Sequence, residues 1–267
     1  MSQVVLITGA SSGIGKSTAE YLVTKGFIVY GTSRFPKSNN INGVNFVALD
    51  VTDHSTIQKA VSYVLKKEGR IDVLINNAGK GITGPLEEIP VEELKSIFET
   101  NYFGPLAVIK EVLPSMRSRK KGLIINVTSI AGFMGLPYRS AYSATKGALG
   151  LTTEALRMEL KEFNVKLCNV APGDFATNIA SGRYHAPLNA DSPYSENYGK
   201  SLSLMDEHVD KGMNPDLMGE AILAIINTKN PKVTYKVGAF MQKFSVLLKN
   251  ILPSKMYERL LLNHYKL

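Results

Sequence analysis

One cysteine in 267 residues has nothing to pair with, so an intrachain disulfide is excluded and a reducing compartment suits the chain. That residue, Cys168 in VKLCNVAP, reads as a small core hydrophobe rather than a redox centre. Histidine is also sparse: His54, His185, His208 and His264 show no ligand spacing, so no metal site is expected. No apolar run approaches the ~18 residues needed to cross a bilayer, and no signal-peptide pattern precedes the first apolar segment. The expected location is therefore cytoplasmic. Internal repeats, low-complexity tracts and linkers are missing too, so nothing divides the chain into separate folding units. What remains is 44% apolar, enough for a sizeable core.

Those apolar residues come in short runs. Segments 4–8, 27–33, 44–49, 71–75, 122–128, 165–171 and 233–237 read as buried strands. Helical periodicity fills 14–25, 55–68, 91–117, 140–162 and 215–227, with a break expected near Gly104-Pro105. Strand alternating with helix predicts an α/β fold, a mostly parallel seven-stranded sheet wound with helices on both faces.

The polar residues that stand out follow the strands. After VVLIT comes GASSGIG and then a helical pattern; Gly9, Gly13 and Gly15 allow a tight turn and close backbone approach to a pyrophosphate at a helix N-terminus. Arg34 follows the second run, Asp50 the third, Asn76-Asn77-Ala78-Gly79 the fourth, Ser129 the fifth and Pro172-Gly173 the sixth. Open α/β sheets bind ligands at this carboxyl edge. Tyr142 and Lys146, four residues apart, share one helix face. A cation about 4 Å from a phenol, at an effective dielectric near 20, favours the phenolate by up to on the order of 4 kcal/mol. Tyr142 can then serve as general acid or base, with the Ser129 hydroxyl holding a substrate oxygen.

The chain resembles the short-chain dehydrogenase/reductase family, in its short single-domain form and nearest the hydroxysteroid and retinol dehydrogenase branch. The resemblance rests on TGASSGIG (8–15), DVTD (50–53), NNAG (76–79), Asn101 in ETNYFG, Ser129 in NVTSIAG, YSATK (142–146) and PGDFAT (172–177), in the family's order. It implies a Rossmann-type nicotinamide-dependent oxidoreductase with a catalytic tetrad of Asn101, Ser129, Tyr142 and Lys146. By the same resemblance the tyrosine moves the proton and the serine orients the carbonyl or alcohol. The lysine tunes the tyrosine and holds the nicotinamide ribose, and the asparagine supports a water in a proton relay. The implied cofactor contacts are Gly9, Ser11, Ser12, Gly13, Ile14 and Gly15 in the turn, and Asp50 with Val51 at the adenine. Further contacts implied are Asn77, Ala78 and Gly79 beside the ribose, and Tyr142, Lys146, Pro172, Gly173 and Thr177 toward the nicotinamide. A homo-oligomer, dimer or tetramer, is implied as well.

The cofactor can be chosen by charge. NAD-specific folds of this kind place a carboxylate after the second strand. Here Ser33 and Arg34 stand there instead, and a guanidinium grips a 2′-phosphate bidentately, so NADP(H) is expected.

The net charge of +8 sits almost entirely in the last 39 residues, where seven Lys and one Arg face the single acid Glu258. Residues 1–238 are expected to form the cofactor-binding and catalytic domain, and 239–267 a helical extension of it. Phe240, Phe244, Leu247, Leu248 and Ile251 recur at helical spacing, and a second short helix opens at Pro253-Ser254. Such a basic amphipathic ending suits either a cover on the substrate cleft, the reading preferred, or peripheral contact with an anionic membrane. Nucleic-acid binding is not expected, because aromatic interleaving is missing.

A lid is expected from Pro172-Gly173 to about residue 212, offering Phe175, Ile179, Tyr184, Leu188, Tyr194 and Tyr198 to an apolar ketone or secondary alcohol. A 3-oxoacyl thioester reductase and a non-catalytic NADP-binding sensor are the alternatives.

Overall fold

A computed structural model describes residues 2–176, 182–210 and 212–267, with side chains left out at 208–210. Thr177 and Ile179 lie outside the described residues. The first half runs β1 (Val4–Ile7), α1 (Gly13–Thr24), β2 (Ile28–Ser33), β3 (Asn40–Ile41), β4 (Val44–Ala48), α2 (His54–Glu68), β5 (Val73–Asn76) and β6 (Ile82–Thr83). Then follow α3 (Val91–Phe98), α4 (Gly104–Ser118), β7 (Gly122–Val127), α5 (Ser140–Glu159), β8 (Val165–Pro172) and β9 (Tyr184–His185). The chain closes with α6 (Ser195–Asp210), α7 (Asp216–Ile226), β10 (Thr234–Val237), α8 (Phe240–Ile251) and α9 (Ser254–Tyr265).

The main sheet has eight strands in the order β10-β8-β7-β5-β1-β2-β4-β3, a Rossmann-type doubly wound arrangement. Its seven longer strands are parallel; the eighth, two-residue β3, is an antiparallel edge beside β4. Alternate residues point to opposite faces of a strand. Val4, Leu6, Leu74 and Ile124 therefore pack against Ile57 and Val61 of α2 and Val108 and Val112 of α4. On the other face Val5, Ile7, Val73 and Ile125 meet Leu22 of α1 and Met218 and Ile222 of α7. A parallel strand buried on both faces reads as an uninterrupted apolar run. Cys168 lies in the second core, where burial pushes its thiol up to about 12 and keeps it unreactive as a thiolate.

Three features depart from the expectations. The helix over 91–117 is interrupted not at Gly104-Pro105 but one turn earlier, by a π turn at Glu99–Phe103. Gly104 instead makes room for Val51, because a Cβ there would stand 2.8 Å from the Val51 Cβ. The expected lid loop contains β9, paired in parallel with β6, and the helix α6. Phe175 does not line a substrate cleft; it is 3% exposed in the core on the α1/α7 face, bridged to Met213. The β8 ladder, bonded onward from the Gly173 amide to Val237, fixes the chain direction that turns Phe175 inward.

The last two helices pack through Val246, Leu248, Leu252, Tyr257 and Leu261 onto Ile130 and Met134, the residues just after Ser129. Gln242 of α8 donates to the Asp174 carboxylate at 2.6 Å.

Candidate active site

The β1–α1 turn is built by close approach. Gly9 and Gly13 have positive φ, +66° and +53°. A Cβ at Gly9 would stand 2.8 Å from the Ala78 Cα, and one at Gly15 would overlap the Asn77 amide and the Gly9 carbonyl. Asn77 holds this turn from the next strand, its Nδ2 donating to the carbonyls of Thr8 and Gly9, both at 3.0 Å. The Asn77 and Ala78 amides donate to the Thr8 hydroxyl, also at 3.0 Å. The N-terminus of α1 thus opens, backbone exposed, onto a cleft of about 580 Å³.

That cleft gathers most of the expected cofactor residues. Gly9, Ser11, Ser12, Gly13, Ile14 and Gly15 line one end, with Ser33, Arg34, Asp50 and Val51 beside them. Asn77, Ala78 and Gly79 line the middle, and Tyr142, Lys146 and Pro172 the far end. Gly173 stays outside, its amide donating to the Val237 carbonyl at 2.8 Å and its Cα face covered by Gln242. One Asp50 carboxylate oxygen accepts from the Thr52 amide and hydroxyl at 2.9 and 2.8 Å, an Asx turn that holds the residue in place. The sequence reading missed Thr128, Ser96 and Thr100, which also line the cleft. A second hollow of about 390 Å³ adjoins Ser33 and Arg34 and adds the cations Lys16 and Lys37.

Tyr142 and Lys146 are buried on one face of α5, the ammonium 5.9 Å from the phenol ring centroid. Lys146 donates to the Val127 carbonyl at 3.0 Å, which anchors it to the end of β7. Burial pushes the Lys146 ammonium below its ordinary range, and the Tyr142 phenol opposes that shift. Arg139 stacks over the same tyrosine ring at 5.1 Å, so a cation stands within about 6 Å of the ring twice over. Ser129 caps a short turn, its Oγ accepting from the Ala131 amide at 3.1 Å. Its own proton remains available to donate to a substrate oxygen. Asn101 sits within the π turn, fully buried. Its Oδ1 accepts from the Lys80 amide and its Nδ2 donates to the Lys80 carbonyl, both at 2.9 Å, with Thr145 at 3.3 Å. The side chain therefore fastens the loop after Gly79 to α5, and a role in a proton relay would run through its main chain.

Tyr142 also belongs to a buried apolar wall in which Ile82, Ile89, Ile97, Ala186 and Tyr198 pack with partly buried Leu94, Phe98 and Leu136. Tyr198 donates to the Thr83 carbonyl, and Tyr194 to Glu87 at the rim. Leu188 points outward, 56% exposed, and adds nothing to this wall.

A dinucleotide-sized cleft at the carboxyl edge of a doubly wound sheet, ending at a Tyr–Lys pair, defines a nucleotide-dependent oxidoreductase. The chain belongs to the short-chain dehydrogenase family, whose sequence profile matches residues 3–187. It is 43% identical over 257 residues to a 3-ketodihydrosphingosine reductase of Bacteroides thetaiotaomicron, spanning 96% of this chain and 95% of that one. Among solved structures, a short-chain dehydrogenase of Streptomyces avermitilis superposes with a TM-score of 0.83 at 32% identity, over 99% of this chain and 97% of that one. A short chain dehydrogenase of Burkholderia cenocepacia in complex with NADP superposes with a TM-score of 0.77 at 26% identity, over 97% of each chain.

Proposed function

We propose that this oxidoreductase uses NADP(H) to interconvert a long-chain, lipid-like ketone and its secondary alcohol, a 3-keto sphingoid base being the leading candidate. One observation carries the reading: Tyr142 belongs both to the lining of the polar cofactor cleft, with Arg34 at its distal end, and to an apolar cluster of the kind an alkyl chain packs against. The 43% identity to a 3-ketodihydrosphingosine reductase and the NADP held by a structural neighbour support it. The residues present fit the cofactor: a glycine turn that any Cβ would obstruct, a helix N-terminus for the pyrophosphate, and Arg34 with Lys37 for a 2′-phosphate. Bound NADPH supplies the hydride. Ser129 donates a hydrogen bond to the ketone oxygen, Tyr142 delivers the proton to it, and Lys146 holds the ribose and the charge on the phenol. Asn101 positions the loop that carries Gly79 and Lys80 beside the ribose.

The test is NADPH oxidation by the purified chain on a panel of ketones: 3-ketodihydrosphingosine, plain long-chain ketones, steroid ketones, retinal and acetoacetyl thioesters. Turnover of the long-chain ketones at kcat/KM at least tenfold above the thioesters is expected. The reverse order would replace the reading with a 3-oxoacyl thioester reductase, and no turnover at all would favour a sensor.

The tail has two faces, and the two readings of it fall on opposite sides. Its inner face packs on Ile130 and Met134, which follow Ser129 in the chain. Its outer face presents Phe240, Met241, Leu247 and Ile251, which are 72%, 67%, 49% and 64% exposed, with Phe240 stacked on Phe244 at 5.8 Å. Lys243 and Lys255 are exposed beside this stripe. A second copy would bring the same positive charge against it, whereas an anionic bilayer offers both the opposite charge and an apolar phase. Among the described residues no helix is long and apolar enough to cross a membrane, so the contact proposed is peripheral. Replacing Leu247 and Ile251 together with Glu is expected to abolish co-sedimentation with anionic vesicles at low salt and to spare turnover of a small water-soluble ketone. Co-sedimentation that survives the double substitution would dismiss this face. Association of copies is proposed elsewhere, at α5, where Leu151 and Met158 are 69% and 73% exposed.

A further inference from the structure

Arg183 stands between Gly182, which lines the cofactor cleft, and Tyr184, which packs on the apolar cluster around Tyr142. The pairing of β9 with β6 seats the arginine against the Gly81 backbone. A Cβ at Gly81 would stand 2.8 Å from the Arg183 Cγ and 3.2 Å from its Nε. The side chain is only 4% exposed, although it carries a full charge. Its ion-pair partner is Asp206 of α6, but Nη1 and Oδ1 are 3.7 Å apart, too far for a hydrogen bond. Neither of these two buried atoms has a hydrogen-bond partner among the described residues. Burying a guanidinium costs several kcal/mol unless its donors are met. An ion pair held open is therefore an unfinished arrangement.

We propose that Arg183 and Asp206 form a polar subsite that takes a hydroxyl carried by the ketone substrate near its carbonyl. This rests on the reading of the chain as a ketone reductase and adds the chemistry of the substrate's head. The long ion pair leaves one donor, Nη1, and one acceptor, Oδ1, without a hydrogen-bond partner among the described residues. A hydroxyl both accepts and donates, so it completes both atoms at once. A carboxylate or phosphate would satisfy Arg183 but be repelled by Asp206. The subsite adjoins the reaction centre through Gly182, which lines the cleft together with Tyr142 and Lys146. Burial and then Arg139 push the Arg183 guanidinium down, while Asp206, Tyr142 and Asp174 hold it up. Arg139 in turn stacks on the Tyr142 ring at 5.1 Å. Acyl thioesters lack such a hydroxyl, so the subsite selects against them.

The experiment compares two saturated ketones of equal chain length, one with a hydroxyl β to the carbonyl and one without it. Steady-state kcat/KM with NADPH is measured for the full chain and for Arg183→Met, Arg183→Lys and Asp206→Asn. The unsubstituted protein is expected to prefer the hydroxy ketone by roughly 10–100-fold, the worth of hydrogen bonds to charged groups. Arg183→Met should erase that preference, while Arg183→Lys and Asp206→Asn each keep part of it. Reduction of both ketones without preference overturns the subsite and leaves the ketone reductase standing. So does an equal loss on both ketones in all three variants, which would make the pair a brace for α6. Asp206 is half exposed, so its variant still reports if Arg183→Met fails to fold. If neither ketone is reduced while thioesters are, the reading of the chain as a ketone reductase falls, and the subsite with it.

Discussion

Tyr142→Phe lowers kcat by roughly 10²–10⁴-fold, the usual contribution of a positioned acid or base. The substitution removes one oxygen and nothing else. The ring keeps its packing against Ala141, Ala131 and Tyr198, and Arg139 and Lys146 retain their places over it at 5.1 and 5.9 Å. Stability is therefore expected to hold within ~1 kcal/mol, the range of a volume-conserving exchange. NADPH affinity should change less than about tenfold, because the glycine turn, Arg34 and the Lys146 ammonium are untouched. The loss then falls on kcat with KM little moved, the pattern of an interaction made only in the transition state. Single-turnover kinetics with NADPH fluorescence separates that from slow product release. Turnover within threefold of the unsubstituted protein would remove Tyr142 from the proton-transfer role and direct attention to Ser129.

The central strands β1, β5 and β7 were legible because burial on both faces leaves an almost unbroken apolar run, and the loops at their carboxyl ends inherited the reading. Residues that touch across the sheet were not legible in the same way. Asn77 is expected to support the cofactor loop beside a ribose and does line the cleft, but the partners of its amide, the carbonyls of Thr8 and Gly9, are not legible. The contact with Gly9 is 68 residues apart in the chain, which no local pattern encodes. Helix α6 was hidden for another reason. Its inward residues Tyr198, Ser201 and Met205 follow helical spacing, but serines, a glycine and charges surround them and dilute the periodicity. The strands β6 and β9 are two residues each, too short to alternate visibly. Their pairing nonetheless fixes Arg183 beside Gly182 of the cleft, a buried charge absent from the expected mixture of apolar and phenolic side chains.

Arg34→Asp is expected to weaken NADPH binding by ~1.5–3 kcal/mol, the scale of hydrogen bonds to a charged group, or roughly 10–150-fold. Arg34 stands at the end of β2, lines both the main cleft and the adjoining hollow, and forms no ion pair among the described residues that would compete for a phosphate. Two features of the site bound the effect. Lys37 lines the same hollow and remains after the substitution, so the loss is partial. Arg34 is also exposed, and solvent and salt screen such a contact over about 8–10 Å, so the loss shrinks as ionic strength rises. NADH responds in the opposite sense. The new carboxylate replaces a cation that has no phosphate to meet and offers the free ribose hydroxyls an acceptor, as the acidic residue after the second strand does in NAD-specific folds of this kind. NADH affinity is therefore expected to hold or improve, and Arg34→Asp/Lys37→Ser should widen the change further. Calorimetric titration of both nucleotides at two salt concentrations measures it. Unsubstituted protein that binds NADH more tightly than NADPH would overturn the assignment of Arg34 whatever the variants do.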